Sequence, residues 1–245
     1  GVLDFAGGTV VHISAGFAAL SGAIFLKKRK DGGADNPTNI PYILLGAGLL
    51  WFGWFGFNAG SALAANELAV KAFLNTNLAS ATAMVTWMLT DGARGKKRSV
   101  VGAAVGAVVG LVAITPAAGF VTVGQSIFIG FTASLVSYFA TRLKSRSSID
   151  DTLDVFPCHG IGGITGMILT GVFAENVGLI YGDSTVFLYH FLALLIVGAF
   201  TFGGSFLLYK LTDLILPMRV TEIQEERGLD ITQHGEMATD VPSSY

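Results

Sequence analysis

Seven apolar stretches, each long enough to cross a lipid bilayer as a helix, are the feature that most constrains how this chain folds. A bilayer core about 30 Å thick requires roughly 20 apolar residues in helical conformation. The predicted spans lie approximately at residues 2–26, 41–64, 67–90, 100–116, 122–142, 154–174 and 185–216. They do not show the short, period-two pattern of membrane barrel strands. The sequence therefore predicts an all-α polytopic membrane protein with seven transmembrane helices.

The composition agrees with a lipid environment. Of the 245 residues, 52% are apolar and 13% are charged, about half the charged fraction of a typical soluble domain. A net charge of −2 excludes a broadly basic nucleic-acid-binding protein, and a single cysteine excludes a disulfide scaffold. The chain starts at Gly1 within an apolar run, with no basic segment before it. We interpret this start as cut or processed rather than as a signal peptide.

The basic residues predict the orientation in the membrane. Every lysine and arginine except Lys71 lies near or beyond the end of the first, third, fifth or seventh predicted span. Cytoplasmic loops are enriched in such residues. We therefore expect these connections and the C-terminus to be cytoplasmic, in a multi-pass protein of the plasma or inner membrane. Residues 1–216 form the predicted transmembrane domain. Residues 217–245 form a polar cytoplasmic tail, which we expect to dock on its own protein or on a partner.

Three histidines lie inside predicted spans, where an ionisable side chain is costly and marks a candidate functional site. One of them, His190, begins the seventh span near the outer surface. His12 lies halfway along the first span and His159 lies on the sixth. Either residue alone is also compatible with a neutral histidine hydrogen-bonded to a neighbouring helix. Each, however, follows an aspartate (Asp4 or Asp154), and their spans run antiparallel, as in inverted-repeat transporters with a site at the membrane midplane. Two neutral imidazoles facing each other suit a small polar solute in a dry pore.

The first and second spans supply further candidates. Asp4 is expected to cap backbone amides at the outer end of its helix or, alternatively, to favour a cation at a pore entrance. Trp54 fits an aromatic belt at the membrane surface. Phe57, a turn deeper, and Ser61 can bind a small cation through a ring face and a hydroxyl.

Several strings now point to one family. DFAGGTVVH at residues 4–12, GWFGFNAGS at 53–61, DVFPCHG at 154–160, and the tail strings GLD at 228–230 and HGE at 234–236 resemble the ammonium transporter (Amt/Mep/Rh) family, on its Amt branch. The resemblance covers essentially the whole chain. It implies an eleven-helix fold with two inverted halves of five spans and a long final helix. The seven spans here would correspond to the fifth through eleventh.

The resemblance also implies site residues. His12 and His159 would be the two pore histidines, and Phe57 would be one of two stacked phenyl gates. Ser61 would belong to the outer ammonium-recruiting site, with Asp4 as the acidic residue that supports it. Thr115 would be a pore-side threonine. Trp54 and Asp154 are predicted to support this site. Family members form homotrimers with one pore per subunit, and PII-type signalling proteins close the cytoplasmic face of bacterial members. Neither a cofactor nor an enzymatic activity is implied.

The expected function is transport of ammonium or ammonia, in which ammonium loses a proton before ammonia passes the histidines. The first four spans of the family, and half of each pore wall, have no counterpart here. We therefore expect the chain alone to be inactive, as a fragment or as a part that needs a complementing piece.

Other readings remain open on sequence alone. Transport could be electrogenic or neutral, and the same ligand site could serve a sensor. A membrane electron carrier would use His12 and His159 as haem ligands. A retinal protein would need a lysine in the middle of the last span, whereas Lys210 lies near its cytoplasmic end.

Overall fold

A computed structural model of the chain describes residues 1–30, 37 and 39–236. Within these residues the chain forms seven long helices and contains no strand. The helices are α1 (Gly8–Leu26), α2 (Ile40–Gly60), α3 (Glu67–Ala93), α4 (Val100–Ile114), α5 (Val123–Lys144), α6 (Phe156–Phe173) and α7 (Thr185–Ile215). Both α1 and α6 begin with a π-helical turn. A 3-10 turn (Leu179–Tyr181), a short helix α8 (Glu222–Arg227) and a π turn (Asp230–His234) complete the described chain.

Five of the described helices, α1, α2, α5, α6 and α7, are long and apolar enough to cross a membrane. Helix α3 has the length but carries polar side chains. These are buried between helices: Asn75 donates hydrogen bonds to the carbonyls of Ala118 and Val121, both at 2.9 Å. Polar groups at membrane depth need such partners within the protein. Helix α3 is therefore an interior helix whose polar side chains bind its neighbours.

Helix α4 has only 15 residues, about 22 Å at 1.5 Å per residue, which is shorter than a bilayer core. The chain continues from its end as a turn over residues 115–119, in which every residue is buried. Non-helical backbone is tolerated at membrane depth where protein surrounds it. The predicted span 100–116 therefore consists of a short helix followed by a buried turn.

Close helix packing depends on glycines. A Cβ added to Gly110 or Gly130 would lie 2.5 or 2.3 Å from the carbonyl oxygen of Ala79, so α4 and α5 both approach the backbone of α3 directly. In contrast, α2 packs loosely, because Trp54 and Asn58 are its only buried residues. The interior is thus built from α3, α4, α5 and α6, with α2 on the outside.

The described part of the tail packs against the end of α1. Lys30 forms ion pairs with Glu222 and Glu226 of α8 at 2.9 and 3.0 Å. These carboxylates raise the pKa of Lys30 above its usual value. Arg219 donates hydrogen bonds to the carbonyls of Leu26 and Lys28. Residues 237–245 of the predicted tail lie outside the described residues.

Candidate functional site

A carboxylate fixes where α1 begins. Asp4 accepts hydrogen bonds from the amide of Gly8 at 2.5 Å, and from the amide and hydroxyl of Thr9 at 2.9 and 2.6 Å. Gly7 has φ 107°, a left-handed conformation that residues with a Cβ rarely adopt. The helix therefore starts at Gly8 rather than at residue 2, because Asp4 caps its free amides.

The two candidate histidines contact each other. The Nδ1 atoms of His12 and His159 lie 3.3 Å apart, with the ring centroids 5.4 Å apart. His12 is 2% exposed. This contact agrees with the prediction that the two rings meet. It also leaves no room for a haem iron between these nitrogens.

The hydrogen bonds around His12 assign the protons. The Thr115 hydroxyl lies 2.8 Å from the carbonyl of Leu111 and 3.1 Å from Nε2 of His12. Its single hydrogen donates to the carbonyl, so Nε2 of His12 carries a proton and donates to Thr115. Nδ1 of His12 is then a bare acceptor, and Nδ1 of His159 must donate to it. Both rings are neutral in this arrangement.

Two glycines bring the histidines together. A Cβ added to Gly16 would lie 2.3 Å from the backbone N and Cα of Gly160. Helices α1 and α6 therefore cross in direct backbone contact at these residues. His12 precedes Gly16 by about one turn, and His159 is adjacent to Gly160. The crossing thus sets the distance between the two rings.

Trp54 does not lie in a membrane-surface belt, and that prediction is wrong. It is 8% exposed, and its indole N–H donates to the Thr115 hydroxyl at 3.0 Å. Its ring stacks on His12, with centroids 5.2 Å apart and an interplanar angle of 14°. A buried indole N–H requires an acceptor, and Thr115 supplies it. Trp54 therefore holds the His12 ring in place.

A largely apolar cavity of about 590 Å³ lies against these rings. Its lining includes His12, His159, Trp54, Phe57 and Leu50. The Phe57 ring lies at an interplanar angle of 71° to the His12 ring, with centroids 6.1 Å apart. The cavity offers a passing solute two imidazoles on a wall that is otherwise apolar.

Ser61 lies at the end of α2, one turn beyond Phe57. Its hydroxyl donates to the carbonyl of Phe57 at 3.0 Å, and its two lone pairs stay available to a donor. The structure thus places His12, His159, Thr115, Trp54 and Phe57 in one cluster, with Ser61 next to its Phe57 side.

The two aspartates near the start of α6 have different partners. Asp154 has φ 54° and pairs with Lys144 at 2.8 Å. Asp151, which the sequence analysis did not single out, accepts a hydrogen bond from the amide of Phe156 at 2.7 Å. Asp151 therefore caps the helix that carries His159. An aspartate shortly before a helix was the sequence signal for this role.

His190 is a second buried histidine whose role the sequence analysis missed. It is 1% exposed on α7, where the sequence placed it near the outer surface. Its Nε2 accepts the amide of Leu3 at 2.9 Å, and its Nδ1 donates to the carbonyl of Met167 at 2.8 Å. Leu3 directly precedes Asp4. His190 thus anchors the segment whose carboxylate caps α1.

Over the described residues, no three histidine, cysteine or acidic side chains lie close enough to hold a metal ion. The site itself presents two imidazoles, one hydroxyl and aromatic rings.

Comparisons with known proteins agree with this architecture. The model of the Ammonium Transporter Family matches residues 1–239. An ammonium transporter of Bacillus subtilis is 48% identical over 97% of this chain and 61% of its own length. One of Aquifex aeolicus is 50% identical over 97% of this chain and 57% of its own length. The chain spans about three-fifths of the length of these relatives.

Solved structures give the same result. Candida albicans Mep2 superimposes with a TM-score of 0.86 at 38% identity, covering 91% of this chain and 54% of that protein. A sensor Amt protein superimposes with a TM-score of 0.86 at 31% identity, covering 95% of this chain and 60% of its own. The chain that carries the paired histidines therefore belongs to the ammonium transporter family.

Proposed function

We propose that this chain forms the histidine-lined wall of a pore that conducts ammonia across the membrane. The observation that carries the proposal is the direct contact between Nδ1 of His12 and Nδ1 of His159 beside an apolar cavity. Two neutral rings offer donors and acceptors to a small uncharged solute without placing a charge in lipid.

The apolar wall favours ammonia over ammonium. An unpaired cation loses most of its hydration energy in such a cavity, whereas ammonia carries no net charge. Ammonium is first bound near Ser61 and Phe57, where the hydroxyl can accept a hydrogen bond and the ring face attracts a cation by about 0.5–2 kcal/mol. It gives a proton to water at the pore entrance there, and ammonia then passes His12 and His159. Return of the proton along the imidazole pair would make transport electrogenic.

The pore wall seen here is open on one side. Large apolar side chains of α2 that line the cavity are also exposed, namely Leu49 and Leu50. Lipid cannot line a selective pore. We propose that further helices, such as those that make up the remaining two-fifths of the relatives, complete the wall.

The family resemblance supports the remaining assignments. We propose a homotrimer with one pore per subunit, the basic connections and the tail on the cytoplasmic side of the plasma or inner membrane, and a PII-type protein as regulatory partner. The ion pairs between α8 and Lys30 place the tail where a partner can act on α1.

A sensor is the second candidate function. One similar structure is named a sensor Amt protein, and a sensor would bind ammonium at the same residues without appreciable flux. Measured uptake distinguishes the two candidates.

The test uses yeast without its own ammonium transporters. We express the full-length product of the gene that encodes this chain and measure uptake of labelled methylammonium and the associated current. His12→Ala and His159→Ala are expected to lower uptake at least tenfold, while His234→Ala in the tail leaves it within twofold. Unchanged uptake in both pore variants, at equal surface expression, contradicts the proposal. Saturable ammonium binding without uptake in the wild type supports a sensor.

A further inference from the structure

A second cavity, of about 300 Å³, lies at the end of the bundle where the basic connections cluster. It is formed by the C-terminal ends of α3 and α5 and the N-terminal end of α4, and it shares no lining residue with the histidine cavity. Its lining carries both signs of charge and includes Trp87, Asp91, Lys96, Tyr138, Thr141 and Arg142.

One wall of this cavity holds a carboxylate that is linked to Arg142 only through the Tyr138 hydroxyl. Asp91 is 7% exposed, and its Oδ1 accepts a hydrogen bond from the Tyr138 hydroxyl at 2.9 Å. Within the described chain this is the only hydrogen bond of the carboxylate, and no basic nitrogen lies within 4 Å of it. Buried carboxylates are normally paired, because an isolated charge in a low dielectric is costly. Asp91 therefore provides a place for an ammonium group.

The other side of the cavity holds donors without acceptors. Arg142 donates through Nη2 to the Tyr138 hydroxyl, but its buried Nε has no acceptor within the described chain. The buried hydroxyl of Thr141 also lacks a partner there. With Lys96 on the same lining, these groups suit the oxygens of a phosphate.

The flanking surface suits acyl chains. Several large apolar side chains lie within two residues of a lining residue in the sequence and are about half exposed or more: Leu89, Val100, Phe139 and Leu143. Tryptophan, tyrosine and basic residues are the side chains that occupy the headgroup level of a membrane. The ligand that combines an ammonium, a phosphate and acyl chains is a zwitterionic phospholipid.

We propose that this cavity binds the headgroup of phosphatidylethanolamine from the leaflet next to the basic connections. The ammonium of the lipid pairs with Asp91 and lies against the rings of Trp87 and Tyr138. Its phosphate accepts hydrogen bonds from Arg142 and Lys96. A primary ammonium can donate to the carboxylate, whereas the methyl groups of choline cannot, so the site selects ethanolamine over choline.

Native mass spectrometry of the purified protein tests the site, with lipids of identical acyl chains titrated into detergent. We expect phosphatidylethanolamine to bind at least fivefold more tightly than phosphatidylcholine or phosphatidylglycerol. Asp91→Asn keeps the acceptor for Tyr138 but removes the charge, and should abolish this preference. Arg142→Gln should weaken phosphatidylethanolamine and phosphatidylglycerol alike.

Two control variants on α7, Asp213→Asn and Lys210→Gln, lie at the same end of the bundle but outside the cavity. They make the same two changes of charge and should leave the preference for phosphatidylethanolamine intact. Thermal unfolding of each variant checks that it is folded. The proposal is overturned if the three lipids bind equally to the wild type, if phosphatidylglycerol binds best, or if folded Asp91→Asn still prefers phosphatidylethanolamine. None of these outcomes depends on transport, so this experiment tests the lipid site independently of the proposed function.

Discussion

Thr115 joins three parts of the site through one oxygen. It accepts the indole N–H of Trp54 and the Nε2–H of His12, and it donates to the carbonyl of Leu111. The hydroxyl therefore fixes both the orientation and the tautomer of His12. Because the residue is fully buried, water cannot replace it.

Replacing Thr115 with valine should leave two buried N–H groups without an acceptor. An unsatisfied buried donor costs about 1–3 kcal/mol. We therefore expect Thr115→Val to lower the midpoint of thermal unfolding and to reduce methylammonium uptake at least tenfold. Thr115→Ser keeps the hydroxyl and should retain most of both. Equal loss in the two variants would show that the methyl group, and not the hydrogen bonds, matters.

The sequence predicted that His12 and His159 meet, and the family resemblance named Phe57, Thr115 and Trp54 as residues of the same site. It did not predict the contacts that these residues make with the His12 ring. A charged or ionisable side chain in an apolar span can be recognised from the sequence as a candidate site residue, because lipid excludes it. Which way Trp54 points cannot be read in the same manner, because α2 is apolar on all sides and has no stripe that indicates its buried face. For the same reason, the sequence did not indicate that His190 lies on the buried face of α7. The roles assigned to Ser61 and Phe57 stay predictions until transport is measured.

At the scale of helices, the crossing of α1 and α6 depends on the absence of a side chain. Gly16→Ala would place a methyl group 2.3 Å from the backbone of Gly160, and the helices must separate to accept it. We expect the histidine rings to part and uptake to fall at least tenfold. Gly48→Ala on α2, where nothing lies within 4 Å, is the control and should change uptake less than twofold. A fully active Gly16→Ala variant would show that the ring contact is dispensable.

Helix α7 contributes through His190, which binds Leu3 on one ring nitrogen and Met167 on the other. His190→Leu leaves an amide and a carbonyl unpaired and should lower the free energy of unfolding by about 2 kcal/mol. His190→Gln can both accept and donate and should recover at least half of that loss. Hydrogen exchange in a peptide covering residues 1–8 should be faster in the leucine variant alone. Equal protection in all three proteins would exclude the anchoring role.

The helix boundaries show what composition alone can and cannot predict. The apolar stretches predicted the order of the long helices, because lipid-length runs leave few alternatives. The short α4 and its buried turn were not predicted, since residues 115–119 are apolar enough to continue a span and only the protein around them permits a turn. Likewise, the interior position of α3 follows from hydrogen bonds of Asn75 to backbone that is distant in sequence.

At the scale of the whole molecule, an ion pair connects the end of α1 to the loop before α6. Arg29 donates two side-chain hydrogen bonds to Asp150 at 2.7 and 2.8 Å, and this contact lowers the pKa of Asp150 from 3.8 to about 2. Since the folded pKa is the lower one, the pair stabilises the fold above about pH 4. That contribution is lost as the pH falls toward 2.

Asp150→Asn should therefore lower the unfolding temperature by a few degrees at pH 7. The effect is small, because Arg29 is 38% exposed and solvent screens the charges. The difference from the wild type should narrow between pH 4 and pH 2 in a thermal scan of the purified protein. A difference that is constant across this range would mean that the charge of Asp150 is not its cause.

The chain of hydrogen bonds that starts at His159 ends at a group that cannot pass a proton on, and this restricts any proton relay through the two rings. It runs from His159 to His12, from His12 to Thr115, and stops at the carbonyl of Leu111. A peptide carbonyl has no hydrogen to hand onward, so this branch is a dead end. A proton that enters at His159 and passes to His12 must therefore leave through Nε2 of His12, which first has to break its hydrogen bond to Thr115. Such a passage inverts the tautomers of both rings. Both rings must return to their starting tautomers before the next proton follows, and the rate of that return limits the turnover of such a relay.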